Sequence, residues 1–216
     1  MRTVKVKICG ITNETDLADA TDAGANAVGF IVGVESSPRN LSAERARSLL
    51  AKVPPFVSSV VVTKESNPQN LKRLSITLRS DFIQVYCEIR EIEGILKELG
   101  EYVATILGVD GQKCSAEDLL NMSGYCEAVL VDTLSDMKCG GTGRTHDWNA
   151  SKRLRQAVSP KPVILAGGLN PENVAEAVRV VEPYAVDVAS GVEHSPGKKD
   201  RAKIVQFIKN AKSVQL

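Results

Sequence analysis

At 216 residues, 43% apolar and 25% charged, the chain is long enough for one well-buried core or at most two small domains, and one domain is the expectation. Its 27 basic and 26 acidic side chains leave a formal charge of +1 with no basic run to follow a phosphate backbone, which argues against nucleic acid as a partner. No apolar stretch reaches the roughly eighteen residues of a membrane span, and MRTVKVKICG lacks a signal-peptide core, so a cytoplasmic location is expected. Cys9, Cys87, Cys114, Cys126 and Cys139 make no C-x-x-C pair, and His146 and His194 are isolated. Neither a disulfide frame nor a metal cluster is therefore indicated.

In chain order, Val4 to Ile8 alternates Lys with β-branched residues and ends at Cys9-Gly10, which reads as a strand followed by a turn. Asn13 then caps a helix with the stripe Leu17, Ala20, Ala23 and a terminal Gly24. Asn26 to Ile31 is a second strand, and Ser42 caps a helix through Leu50. Phe56 to Val62 is a third strand, followed by Asn67-Pro68, a cap and an N1 proline, opening a helix towards Leu78. Strand four is Asp81 to Tyr86, and Glu88 to Leu99 is helical with Ile89, Ile92, Ile95 and Leu96 on one face. Tyr102 to Leu107 and a helix from Ser115 to Met122 form the fifth pair; Ala128 to Val131 and Asn149 to Val158 form the sixth. Pro162 to Ala166 is strand seven, with Asn170-Pro171 starting a helix to about Val180. Tyr184 to Ala189 is strand eight, and Lys198 to about Ala211 is a closing amphipathic helix.

Eight uninterrupted strand-helix units predict a single closed (β/α)8 TIM barrel over residues 1–216. The competing open, doubly wound sheet lacks its G-x-G-x-x-G after strand one, where Cys9-Gly10-Ile11-Thr12 stands instead. In a barrel the site lies at the C-terminal strand ends. Asp132 ends strand six there, and the loop after it holds Gly140, Gly141, Thr142 and Gly143, whose uncovered amides suit an anion such as phosphate. A lone strand-end Asp is more often a cap, and a lone glycine cluster more often a turn; their adjacency favours a site. Gly167-Gly168 after strand seven and Ser190-Gly191 after strand eight occupy the two places where barrel enzymes often bind phosphate. Arg39 is the basic residue of the loop after strand two.

The stretches KICG (7–10), SPR (37–39), VDT followed by GGTGRTHDW (131–148), AGGLNPENV (166–174) and DVASGVEHSPGKKD (187–200) resemble the phosphoribosylanthranilate isomerase family. The resemblance runs from strand one to helix eight. It departs at strand four, where the family's Gln-Leu-His-Gly is Gln84-Val85-Tyr86-Cys87, and where the family's Phe before Asp-Trp is His146. The resemblance implies a cofactor-free Amadori rearrangement of a phosphorylated aminoribose in tryptophan biosynthesis. It puts the general base on Cys9, the general acid on Asp132, the grip on the anthranilate carboxylate on Arg39, and the phosphate on Gly141, Thr142, Gly143, Gly167, Gly168, Ser190 and Gly191.

The residues agree with that chemistry. Ring opening needs an acid and tautomerisation a base, and a thiol or carboxyl suited to either role at neutral pH must be perturbed by its site. A base is expected to be accessible and partly ionised, making Cys9 the most reactive of the five thiols. By the period-two rule, Lys7 shares the lumen with Cys9, and Asp187 faces in from strand eight, which predicts a buried Lys7–Asp187 ion pair. Rival readings are the histidine-pathway sugar-phosphate isomerase, which resembles a two-aspartate design that Cys9 does not fit, and a pentose-phosphate epimerase, whose metal ligands are missing. A barrel that binds phosphate without catalysis is a further rival, opposed by the intact Cys9, Asp132 and Arg39. The partner expected is a small phosphosugar, and the assembly a monomer or homodimer.

Overall fold

The computed structural model describes residues 2–86, 89–132 and 147–216. Eight strands, β1 (Lys5–Ile8), β2 (Ala27–Val32), β3 (Ser58–Thr63), β4 (Phe82–Val85), β5 (Ala104–Asp110), β6 (Ala128–Asp132), β7 (Val163–Leu165) and β8 (Ala185–Val188), pair in parallel, each with the next. Closure comes at β1, which pairs with β2 on one side and β8 on the other, so the sheet is a barrel as the alternation of elements predicts. The helices are α1 (Glu14–Asp22), α2 (Ala43–Leu50), α3 (Pro68–Leu78), α4 (Ile89–Leu99), α5 (Ala116–Ser123), α6 (Trp148–Ala157), α7 (Val174–Val181) and α8 (Arg201–Lys212).

The pleat divides the apolar residues into two cores. Val6, Ile8, Val129, Val131, Val186 and Val188 point outward and join the helices in the larger one. Cys9, Val60, Val62, Ile106, Leu130 and Ile164 belong to a second cluster inside the barrel. Strand residues buried on both faces are what a parallel barrel requires, and they explain the near-continuous apolar runs.

Local signals fix most helix starts. Asn13 accepts from the Asp16 amide, Ser42 from Arg45, Asn67 from Gln69 and Asn70, and Ser115 from Asp118. Two expected starts move. Asn170 does accept amide hydrogens from Glu172 and Asn173, but the backbone there makes a turn and α7 begins only at Val174. Lys198 does not open α8: Lys198–Lys199 pairs with Glu193–Ser195 as a small antiparallel hairpin, after a three-residue 3-10 helix at Ser190–Val192, and Asp200 caps α8 instead. That hairpin carries two of the charged residues of the barrel mouth.

Candidate active site

Cys9 follows β1 and is tied to β8 by its amide, which donates to the Val188 carbonyl at 2.8 Å. One layer below, Lys7 and Asp187 stand opposite each other in the β1–β8 register and form the expected ion pair, 2.9 Å long and buried. Lys7 Nζ also donates to Gln84 Oε1 at 3.1 Å. Burial alone would drive a proton off Lys7, but the Asp187 carboxylate, with a smaller contribution from Cys9 when ionised, outweighs it and holds its pKa above the ordinary lysine value. Room for this arrangement comes from Gly29 on β2, where a Cβ would stand 2.7 Å from Cys9 Sγ and 3.2 Å from Lys7 Cε. A lone glycine inside a predicted strand is a signal of such close approach.

The expectation of an accessible, partly ionised Cys9 is not met. The residue is 5% exposed, and burial pushes the thiol upward; Asp187 adds to that, while Lys7 and Lys199 pull the other way without reversing it. Lys7 from the layer below and Lys199 from the hairpin thus bear on Cys9 electrostatically, while burial keeps its pKa above the ordinary thiol value. Cys114 is half-buried, its pKa pushed up to about 11 by burial and the neighbouring carboxylates Asp118 and Asp110. Cys126 is buried.

Asp132 ends β6, half-buried, in register with Asp110 of β5. The Tyr86 hydroxyl lies 3.4 Å from its Oδ2 and accepts from Gln84 Nε2 at 2.9 Å. The ring of Tyr86 lies over Gly108 of β5, where a Cβ would meet it at 2.5 to 2.8 Å. The carboxyl is thus flanked by a phenol as well as by apolar strand walls.

Arg39 is a buried cation, not a solvated loop charge. Its Nε and Nη2 donate to the two oxygens of Glu193 at 2.7 and 2.6 Å, so that edge of the fork is committed within the protein and is not the edge that grips a ligand. Lys199 Nζ donates to Glu193 Oε1 and to the Ala189 carbonyl, each at 3.0 Å. Burial would raise the Glu193 carboxyl, but Arg39 and Lys199 bring it below the ordinary carboxylate range. Gly10, at φ +74°, turns the chain after Cys9 and leaves the space that the Arg39 side chain fills. Neither Glu193 nor Lys199 stands out in the sequence, because their partners are remote or lie in an irregular hairpin.

The other expected loops come together in part. Gly167 and Gly168 take φ of +89° and +63°, folding the chain back after β7. Ser190 and Gly191 open the 3-10 helix after β8, and Gly191 abuts the Leu169 carbonyl so closely that a Cβ would overlap it. The two glycine loops are therefore packed backbone to backbone beside the Cys9 end of the mouth. Gly141, Thr142 and Gly143 lie outside the described residues, as do Cys87, Cys139 and His146. Among the described residues, no group of three His, Cys, Asp or Glu side chains is placed to hold a metal ion.

Residues 6–210 match the family model described as N-(5'phosphoribosyl)anthranilate (PRA) isomerase. The N-(5'-phosphoribosyl)anthranilate isomerase of Methanopyrus kandleri is 46% identical over 221 residues, covering 98% of this chain and 100% of that one. A phosphoribosylanthranilate isomerase solved in complex with reduced 1-(o-carboxyphenylamino)-1-deoxyribulose 5-phosphate is 36% identical, with a TM-score of 0.78 over 98% of this chain and 100% of the other. The Thermotoga maritima enzyme, a dimer solved as generated monomers, is 35% identical with the same TM-score and coverage of 98% and 100%.

Proposed function

The chain belongs to the N-(5'-phosphoribosyl)anthranilate isomerase family of tryptophan biosynthesis, and from that premise we propose that Asp132 is the general acid and Cys9 the general base of its Amadori rearrangement. The reaction turns N-(5-phosphoribosyl)anthranilate into 1-(2-carboxyphenylamino)-1-deoxyribulose 5-phosphate. Asp132 gives its proton to the furanose oxygen as the C1–O bond breaks, and the anilino nitrogen closes the Schiff base. Cys9, as thiolate, takes the proton from C2; the electrons move to the nitrogen, and the resulting enolamine tautomerises to the ketone.

The observation that carries this reading is the setting of Cys9: it stands at the end of β1 one layer above the buried Lys7–Asp187 pair, and Gly29 leaves the space that brings its Sγ and the Lys7 side chain together. Arg39, buried against Gly10 immediately after the base, is proposed to orient the anthranilate carboxylate by its charge, from a position fixed by Glu193. The phosphate is assigned to Gly167, Gly168, Ser190 and Gly191 with Gly141, Thr142 and Gly143.

The proposed partner is this phosphosugar alone, with no nucleic acid, and the proposed location is the cytoplasm. Among the described residues no helix is long and apolar enough to cross a membrane. Assembly is proposed as monomer or homodimer, and the exposed Phe56 favours the latter.

The test is the loss of anthranilate fluorescence on adding freshly made phosphoribosylanthranilate to the parent and to Cys9→Ser. Serine keeps the shape but offers almost no anion at neutral pH, so turnover is expected to fall by about a hundredfold or more with thermal stability little changed. Parental turnover in Cys9→Ser would remove the base from this position.

A further inference from the structure

Between the two ends of the proposed acid-base pair runs a chain of side chains that the reaction as described does not use. Lys7 Nζ donates to Gln84 Oε1 at 3.1 Å, Gln84 Nε2 donates to the Tyr86 oxygen at 2.9 Å, and the Tyr86 hydroxyl reaches Asp132 Oδ2 at 3.4 Å. Its direction is forced from one end. An ammonium only donates, so the carboxamide must turn its oxygen to Lys7 and its NH2 to Tyr86. The phenol oxygen accepts there, and its single proton points to Asp132. Gly108 supplies independent evidence that this placement is built: with any side chain on β5 at that point, the Tyr86 ring would have to leave its seat.

We propose that Tyr86 is a positioning residue for the acid, its hydroxyl donating to Asp132 Oδ2 and fixing the orientation of the carboxyl. The inference rests on the assignment of Asp132 as the acid. The charged and titratable groups facing the phenol are Asp132 from β6, Cys9 from β1 and Asp187 from β8, with Lys7 reached through Gln84 and Asp110 of β5 in register beside Asp132. Burial first, then the charges of Asp132, Asp187 and Cys9, hold the phenol well above its ordinary range, so it keeps its proton wherever the enzyme works. A donor that never ionises favours the carboxylate over the carboxylic acid, which makes Asp132 a stronger acid than it would be alone. Lys7 is the shared node, because the same ammonium that orients Gln84 also acts on Cys9.

The experiment compares Tyr86→Phe, Gly108→Ala and Asp132→Asn as full-length enzymes, reading kcat, KM and the pH dependence of kcat, with thermal melting as the check on folding. Tyr86→Phe removes one oxygen and is expected to lower kcat by roughly 10- to 100-fold with KM within about twofold. The limb of the pH profile that Asp132→Asn abolishes should move to higher pH in Tyr86→Phe, because the carboxylate has lost a donor. Gly108→Ala displaces the ring and should move the same limb the same way. Parental kcat in Tyr86→Phe, or a reduced kcat with an unmoved limb, would overturn the positioning role while Asp132→Asn still shows the acid to be essential. Parental turnover in Asp132→Asn would instead overturn the acid assignment and this inference with it.

Discussion

Gly29 shows how tightly the chemistry at the end of β1 is set by single atoms. A methyl group there would press on Cys9 Sγ, so Gly29→Ala is expected to lower kcat by at least about tenfold and to destabilise the fold by about 1 to 3 kcal/mol, as overpacking does. Steady-state kinetics with a denaturant melt checks both. Lys7 makes a second test. Lys7→Met leaves Asp187 buried without its cation, at a cost of about 3 to 5 kcal/mol, and removes the largest influence that lowers the Cys9 pKa. Thiolate is the active form of the base, so the limb of kcat/KM governed by Cys9 should move further to the alkaline side in any Lys7→Met enzyme that still folds. An unmoved limb would show that Lys7 does not tune the thiol. The Lys7–Asp187 pair was legible in the sequence because alternation along two strands settles which side chains face inward. Gln84, Tyr86, Glu193 and Lys199 were not, because their roles depend on which strands become neighbours and which loops fold over the mouth.

The elements themselves were legible where caps and apolar stripes agree, as at Asn13, Ser42 and Asn67. Asn170-Pro171 misled, since the same side-chain bonds that start a helix also hold a turn. Lys198 and Lys199, the second strand of the hairpin, were read as the start of a helix, and with that reading went the Arg39–Glu193–Lys199 cluster. That cluster predicts an acid response. The folded pKa of Glu193 lies below its unfolded value, so its stabilisation is complete above about pH 4.3 and fades as pH falls through the folded pKa. Urea melts of the parent should weaken in that acid window, and Glu193→Gln should flatten the loss; equal slopes in both would exclude Glu193 as a source. Arg39→Lys keeps the charge but breaks the two-point grip on Glu193, and is expected to weaken substrate binding by about 1 to 3 kcal/mol, read as a raised KM.

At the scale of the whole molecule, ring closure brings the ends of β1, β4, β6 and β8 to one mouth, and thereby places Cys9, Tyr86, Asp132 and the Ser190–Gly191 turn around one space. The barrel was predictable from eight strand-helix units; the order in which lumen side chains touch was not, because it follows from strand register. Phe56 belongs to this scale as well. It is 104% exposed at φ +69°, a strained backbone for a bulky residue that contacts no core. Light scattering is expected to show a homodimer that Phe56→Ser reduces to monomers, whereas an unchanged mass would place Phe56 outside any interface. Asp132→Asn is the variant on which the account turns, since it removes the acid with almost no change of shape. Measured by fluorescence on fresh phosphoribosylanthranilate, its turnover should fall about a hundredfold or more while affinity for the reduced product analogue is kept; turnover near the parental rate would contradict the account.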